Sequence, residues 1–268
     1  MPCTLTSKKK QTKRTPPPGR FDTLGSWEPP GFPRRVVTAY LPADHVPDGT
    51  RPALFLFDGQ NVFDDTFSFA GGWYAHQAVD GLPRRTCNVP VVVGIPHGGE
   101  RRVDELVPWK MAQGGGHLAA FLAWVVSTVV PEAQRRYGTV PGPLGAVLGG
   151  SSLGGLAALW GHFHHSDAFG GALCISPSLW AGDRAIFKDA AAFRPPAVSR
   201  IYLDCGGKEG GGRMLPLVRQ MADVLTAKHY PPHQLKFRPD ERGQHNEKAW
   251  RRRLPAALRF MFRRGVPR

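Results

Sequence analysis

Residues 148–155 read LGGSSLGG, two serines inside a cluster of glycines, and a serine so placed can act as a nucleophile if the chain turns sharply there. The pattern Gly-x-Ser-x-Gly marks such a strand-to-helix turn, because side chains two residues either side of the serine would collide in it. Centred on Ser152 the flanks are Gly150 and Gly154; centred on Ser151 they are Gly149 and Leu153, and leucine does not fit. Ser152 is therefore the candidate nucleophile.

A hydroxyl is a poor nucleophile until a base takes its proton, and a third group should hold the imidazole in one tautomer. The chain has 10 histidines. His162, His164 and His165 lie on the helical segment after the serine, which carries them away from its exposed face, so they read as surface or cap residues. His229 and His233 flank a Pro-Pro turn. His245, in ERGQHNEKAW, follows the last strand-like run and precedes the final helix, a connection that ends at the same sheet edge as the serine turn. It is the candidate base. The acid should fall between serine and histidine in chain order, and IYLDCGGKEGGG offers two. Asp204 lies inside the strand run and Glu209 in the loop beyond it, so Glu209 is the better situated.

Negative charge forming on an attacked carbonyl oxygen needs fixed donors. The backbone N–H of Leu153, at the start of the helix, is one candidate. The N–H of Gln60, in FDGQNVFDD after another strand-like run, is the second, with Asp58 bracing that loop through hydrogen bonds.

These groups need a sheet to bring them together. RRVVTAYLP (34–42), PALFLFDG (52–59), VPVVVGIP (89–96), PLGAVLGGS (143–151), GALCISPS (171–178), SRIYLDCG (199–206) and HQLKFRPD (233–240) are strand-like runs bounded by Pro, Gly and Asp. Helical patterns fall between them, at 116–137, after Ser152, and at 213–230, and a last helix kinked or restarted near Pro255 closes the chain. Such alternation predicts an α/β fold with a mainly parallel central sheet and helices on both faces. The chain is expected to comprise a disordered, basic, Pro-rich tail over residues 1–20 and one domain over 21–268.

The formal charge of +14 resides at the ends: residues 1–20 and 248–268 carry basic residues and no acid, and the segment between them is balanced. No aromatic interleaving or nucleic-acid motif accompanies the charge, so solvated ends are expected and no specific nucleic-acid partner. The apolar run HLAAFLAWVVSTVV stops at Pro131 and Glu132, too short to span a membrane. Cys3, Cys87, Cys174 and Cys205 are far apart with no metal spacing, and the first residues lack the apolar core of a secretory signal. Both features point to a cytoplasmic setting.

Taken together, AYLP, LFLFDGQNVFDD, VVVGIPHGGERRVDELVPW, GSSLGGLAAL, YLDCGGKEG and GQHNEKAWRRRLPAAL resemble the putative-esterase family of α/β hydrolases, from about Arg34 to the C-terminus. That family includes siderophore, feruloyl and acetylxylan esterases, S-formylglutathione hydrolases and mycolyltransferases. The resemblance implies a serine esterase acting on a small-molecule ester, with Ser152 as nucleophile, His245 as base, Glu209 as acid, backbone donors at Gln60 and Leu153, and no metal or cofactor. It further implies that Arg102 and Glu105 sit beside the pocket and that Trp73 walls the cleft. The oxyanion loop lacks the cysteine of formylglutathione hydrolases, and some thirty residues before Arg34 leave no room for the N-terminal domain of full-length enterochelin esterases. What remains is a compact esterase of the siderophore-esterase branch, part of which works with serine and histidine alone, so a dyad stays open beside Glu209. Two rival readings stay open as well: an acyltransferase using the same site, and a polyanion-binding protein whose hydrolase body is idle. The sequence is silent on oligomeric state.

Overall fold

VVVGI at 91–95 has no polar face, and in the computed structural model it runs through the sheet interior, with all five residues buried. The structure describes residues 18–66, 68 and 71–265. Their strands are β1 (Arg20–Trp27), β2 (Arg35–Leu41), β3 (Ala53–Phe57), β4 (Val91–Ile95), β5 (Ala146–Ser151), β6 (Gly171–Ile175), β7 (Arg200–Gly206) and β8 (Leu235–Asp240). They form one sheet in the order β1-β2-β4-β3-β5-β6-β7-β8. The pairs from β4 to β8 are parallel, while β1 and β2 add an antiparallel edge. The seven strand-like runs of the sequence are β2 to β8.

β1 has no counterpart in that reading. Its register shifts between Thr23 and Gly25, so Leu24 is an extra residue that breaks the alternation and still turns its side chain inward, 2 % exposed. Arg20, assigned to the tail by sequence, opens this strand. Of the rest of the expected tail, Pro18 and Gly19 are described, while residues 1–17, Cys3 among them, lie outside the described residues.

The helices are α1 (Ala75–Asp80), α2 (Arg102–Leu106), α3 (Leu118–Trp124), α4 (Val130–Tyr137), α5 (Leu153–His164), α6 (Ala181–Arg184), α7 (Ile186–Ala192), α8 (Met214–Thr226) and α9 (Glu247–Met261). Strand alternation sorts them into two layers. Phe55 and Phe57 of β3 join the core under α3, α4, α5, α7 and α8, while Leu54 and Leu56 join the core under α1 and α9. Between α3 and α4 a wider π turn, Val125–Val129, absorbs Pro131, which has no N–H for the helical ladder. Among the described residues, no helix is long and apolar enough to cross a membrane. The carboxyl ends of β3, β5, β6, β7 and β8 lead into the segments that carry the chemistry.

Candidate active site

Ser152 occupies a backbone conformation, φ 54 and ψ −122, that L-residues rarely adopt, at a cost on the order of 1–3 kcal/mol. The turn is over-determined by its neighbours. The Ser152 N–H donates to the carbonyl of Ile175 at 3.0 Å, and the Ser178 N–H donates to the carbonyl of Ser152 at 3.0 Å. A Cβ on Gly150 would lie 2.6 Å from the carbonyl carbon of Gly154, which is why the chain needs glycine two residues before the serine. The result is a side chain lifted off the end of β5 at the head of α5.

His245, between β8 and α9, brings Nε2 to 2.9 Å from Ser152 Oγ, and its Nδ1 lies 2.9 Å from Glu209 Oε2. A carboxylate only accepts, so Nδ1 carries the proton and Nε2 is free to accept from the serine. Asn246 starts α9 by accepting from the Ala249 N–H at 3.0 Å, which anchors the residue after the histidine. The Trp250 ring, one turn along, meets the imidazole edge-on with centroids 4.9 Å apart. Ser178 Oγ, 3.2 Å from Ser152 Oγ, is a second hydrogen-bonding partner for that hydroxyl.

Residues 33–261 match the family described as Putative esterase. The chain belongs to that family. The Uncharacterized protein YbbA of Bacillus subtilis (strain 168) is 24 % identical over 242 residues, covering 85 % of this chain and 92 % of the relative. Among solved structures, the BES protein from Bacillus cereus superposes with a TM-score of 0.70 at 18 % identity, over 97 % of this chain and 99 % of that one. Siderophore hydrolase EstB from Aspergillus nidulans gives a TM-score of 0.69 at 19 % identity, over 97 % of this chain and 100 % of that one. The fold is that of an α/β hydrolase, and the chemistry of the chain is carboxylic-ester hydrolysis.

Glu209, the candidate acid, is held by groups that the sequence did not reveal. Glu209 Oε1 accepts from Ser176 Oγ at 2.7 Å, from the Gly206 N–H at 2.8 Å and from Arg253 Nη2 at 3.0 Å. Trp250 Nε1 and Arg253 Nη2 both donate to Ser176 Oγ, at 3.1 and 2.8 Å. Burial alone would raise the Glu209 carboxyl, but the bonds from His245 and Ser176 and the charge of Arg253 outweigh it and hold it below its ordinary value. Asp204, the other acid considered, lies within β7, fully buried, and accepts from the Ser176 N–H at 3.3 Å. Its burial, with the Glu209 charge adding and Arg253 opposing, pushes its carboxyl up to about 7. Arg253 itself corrects the picture of a solvated basic end, being 5 % exposed.

Ser152 and His245 open on a cleft of about 580 Å³, also lined by Asp58, Gln60, Asn61, His97, Arg102, Glu247 and Trp250. The backbone N–H groups of Gln60 and Leu153 make no hydrogen bond within the described residues. Asp58, in a left-handed turn after β3, is locked by Arg102, whose Nε and Nη2 donate to the two carboxylate oxygens at 2.7 and 2.8 Å.

Two residues expected at the pocket lie behind it. Glu105 is fully buried and takes a two-pronged bond from Arg35, at 2.9 and 3.0 Å, with a third from the Gly98 N–H at 2.9 Å. It braces the loop after β4 and cannot touch a ligand. Trp73, 2 % exposed, packs edge-on against Trp250 at 6.1 Å in the core, and Trp250 is the ring that lines the cleft. His162 is a further correction: read as a surface or cap residue, it is fully buried, with Nδ1 2.9 Å from the Phe169 carbonyl and Nε2 2.7 Å from Ser199 Oγ. Ser199 in turn meets the Tyr230 hydroxyl at 2.6 Å, so this is a buried structural network. Cys87, Cys174 and Cys205 are free and buried.

Proposed function

We propose that this esterase hydrolyses carboxylic esters through an acyl-enzyme on Ser152, with His245 as base and Glu209 as acid. The carrying observation is the continuous relay of Ser152 Oγ, His245 and Glu209, linked at 2.9 Å on both sides of the imidazole. Ser152 Oγ forms a bond to the ester carbonyl carbon while its proton passes to His245 Nε2, and the carbonyl π electrons move to oxygen. The N–H groups of Gln60 and Leu153 receive that oxyanion. The tetrahedral species collapses, the bond to the alcohol oxygen breaks, and His245 returns the proton to the departing alcohol. A water then repeats the sequence, giving its proton to His245 as it attacks, and the free acid leaves with Ser152 restored. Glu209 remains an anion and stabilises the imidazolium formed at each stage.

The Aspergillus nidulans protein EstB is named a siderophore hydrolase, and siderophore-like esters are the substrate class that this likeness suggests for the present chain. The free, buried cysteines support a reducing, cytoplasmic setting. The decisive experiment is labelling with a fluorophosphonate probe. The wild-type protein should be labelled at one serine and Ser152→Ala should not; labelling that persists in the variant sinks the mechanism.

A further inference from the structure

The cleft contains a polar cluster that the Ser152 relay does not use. Glu247, the first residue of α9, is 8 % exposed and lines the cleft beside Ser152 and His245. Its carboxylate makes no hydrogen bond or ion pair with any described residue. The carboxylate oxygens remain accessible from the cleft while the rest of the side chain is covered, so a donor on a ligand can reach them. Arg102 also lines the cleft, and Glu247 acts on it electrostatically without closing an ion pair. Two of the Arg102 nitrogens, Nε and Nη2, are engaged by Asp58, while Nη1 makes no bond within the described residues. An open acceptor therefore shares the cleft with an open donor.

The charge balance narrows what fits between them. Arg102 and Asp58 neutralise each other, and burial keeps His97, on the same wall, short of protonation, so the cluster keeps the one negative charge of Glu247. An anionic group is disfavoured there. An ammonium would satisfy Glu247 but would lie against a guanidinium. A hydroxyl donates once and accepts as well, and so matches both sides.

We propose that Glu247 and Arg102 form a subsite for a hydroxyl group of the ester, which donates to the Glu247 carboxylate and accepts from Arg102 Nη1. Hydroxylated esters are then the preferred substrate class of the Ser152 site, an inference that rests on the esterase mechanism above for the identity of the ligand as an ester. A site built to bond a hydroxyl rejects the analogue that lacks it, because its own polar groups are left unpaired.

The test measures binding without turnover, using full-length Ser152→Ala protein and two matched pairs of ligands. Glyceryl monobutyrate is compared with propyl butyrate for a hydroxyl on the alcohol side, and ethyl 3-hydroxybutyrate with ethyl butyrate for one on the acyl side. At least one hydroxylated member should bind about tenfold more tightly than its partner, and adding Glu247→Ala should bring the ratio close to one. Glu247→Gln keeps the shape and an acceptor but loses the charge, and should give an intermediate ratio; it carries the test if the alanine variant does not fold. Equal binding within both pairs, or a preference that survives both Glu247 variants, overturns the subsite. Turnover of the same esters by wild-type protein is read separately: a Glu247-dependent preference without turnover upholds the subsite and strikes the Ser152 mechanism.

Discussion

Arg253 Nη2 lies 3.0 Å from Oε1 of Glu209, the carboxylate oxygen turned away from His245. Nη1 of the same guanidinium lies 3.4 Å from Asp204, and all three side chains are at most 5 % exposed. One cation thus faces two acids in a buried space, and the acids divide it unequally. Glu209 collects the hydroxyl of Ser176, the Gly206 N–H and His245, and stays ionised; Asp204 has the Ser176 N–H and keeps its proton to higher pH.

Replacing Arg253 by methionine preserves length and removes the charge, leaving Glu209 ionised in a buried site without its cation. Losing one partner of such a pair destabilises by about 3–5 kcal/mol. Urea denaturation should show a loss of that order for Arg253→Met and a smaller one for Arg253→Lys. A loss below about 1 kcal/mol for the methionine variant would mean that the network is wetter than its geometry implies.

Glu209→Gln keeps the side chain and its bonds from Ser176 and Gly206 but offers His245 an amide in place of an anion. The imidazolium formed during attack then loses its stabilising charge, and Nδ1 its strong acceptor. kcat on a short-chain ester should fall by about 10²–10⁴-fold, with KM changed far less. A near-normal kcat would favour the serine–histidine dyad.

How far the sequence carries this picture depends on whether a signal is local. The turn at Ser152 is local: Gly150 and Gly154 stand in sequence where the folded chain has no room for side chains, so the pattern reports the packing directly. The buried strands are local too, since VVVGI and ALFLF have no polar face to offer water. β1 escapes notice because the bulge at Leu24 destroys its alternation. The support of Glu209 is not local at all. Ser176, Trp250 and Arg253 come from two elements more than seventy residues apart, and Arg253 stands third in a run of three arginines of which the first two are exposed. α5 is almost wholly buried, so no polar stripe tells which side of His162 faces solvent. Glu105 and Trp73 lie in segments near the cleft, but on faces turned from it, a distinction that only the packing of α2 and α9 decides.

Gly150→Ala tests the turn from the other direction. Its methyl group would press on the backbone of Gly154 at 2.6 Å, and neither residue can move without shifting Ser152. Overpacking of this kind costs about 1–3 kcal/mol. The variant should have a lower Tm and react with a fluorophosphonate at least tenfold more slowly, whereas unchanged labelling would show that the turn tolerates a side chain there.

Two buried groups should tilt the pH dependence of stability in opposite directions. The Phe169 carbonyl accepts from His162 Nδ1, so Nε2 must accept from Ser199 and the ring is neutral; burial, against the Phe169 bond, lowers its pKa to about 4. A depressed histidine contributes stability that is whole above its unfolded value of 6.5 and is lost as pH falls through about 4, on the order of 3 kcal/mol in all. Asp204 is raised, mainly by burial, from 3.8 to about 7, so its contribution is whole below 3.8 and is lost as pH rises through about 7. Urea denaturation of wild type, His162→Gln and Asp204→Asn across pH 4.5 to 7.5 separates them. The cost of His162→Gln should shrink on acidification, because the wild type loses what the variant no longer has, and the cost of Asp204→Asn should shrink on alkalinisation. If both costs stay flat over that range, neither group is as dry in solution as its surroundings require.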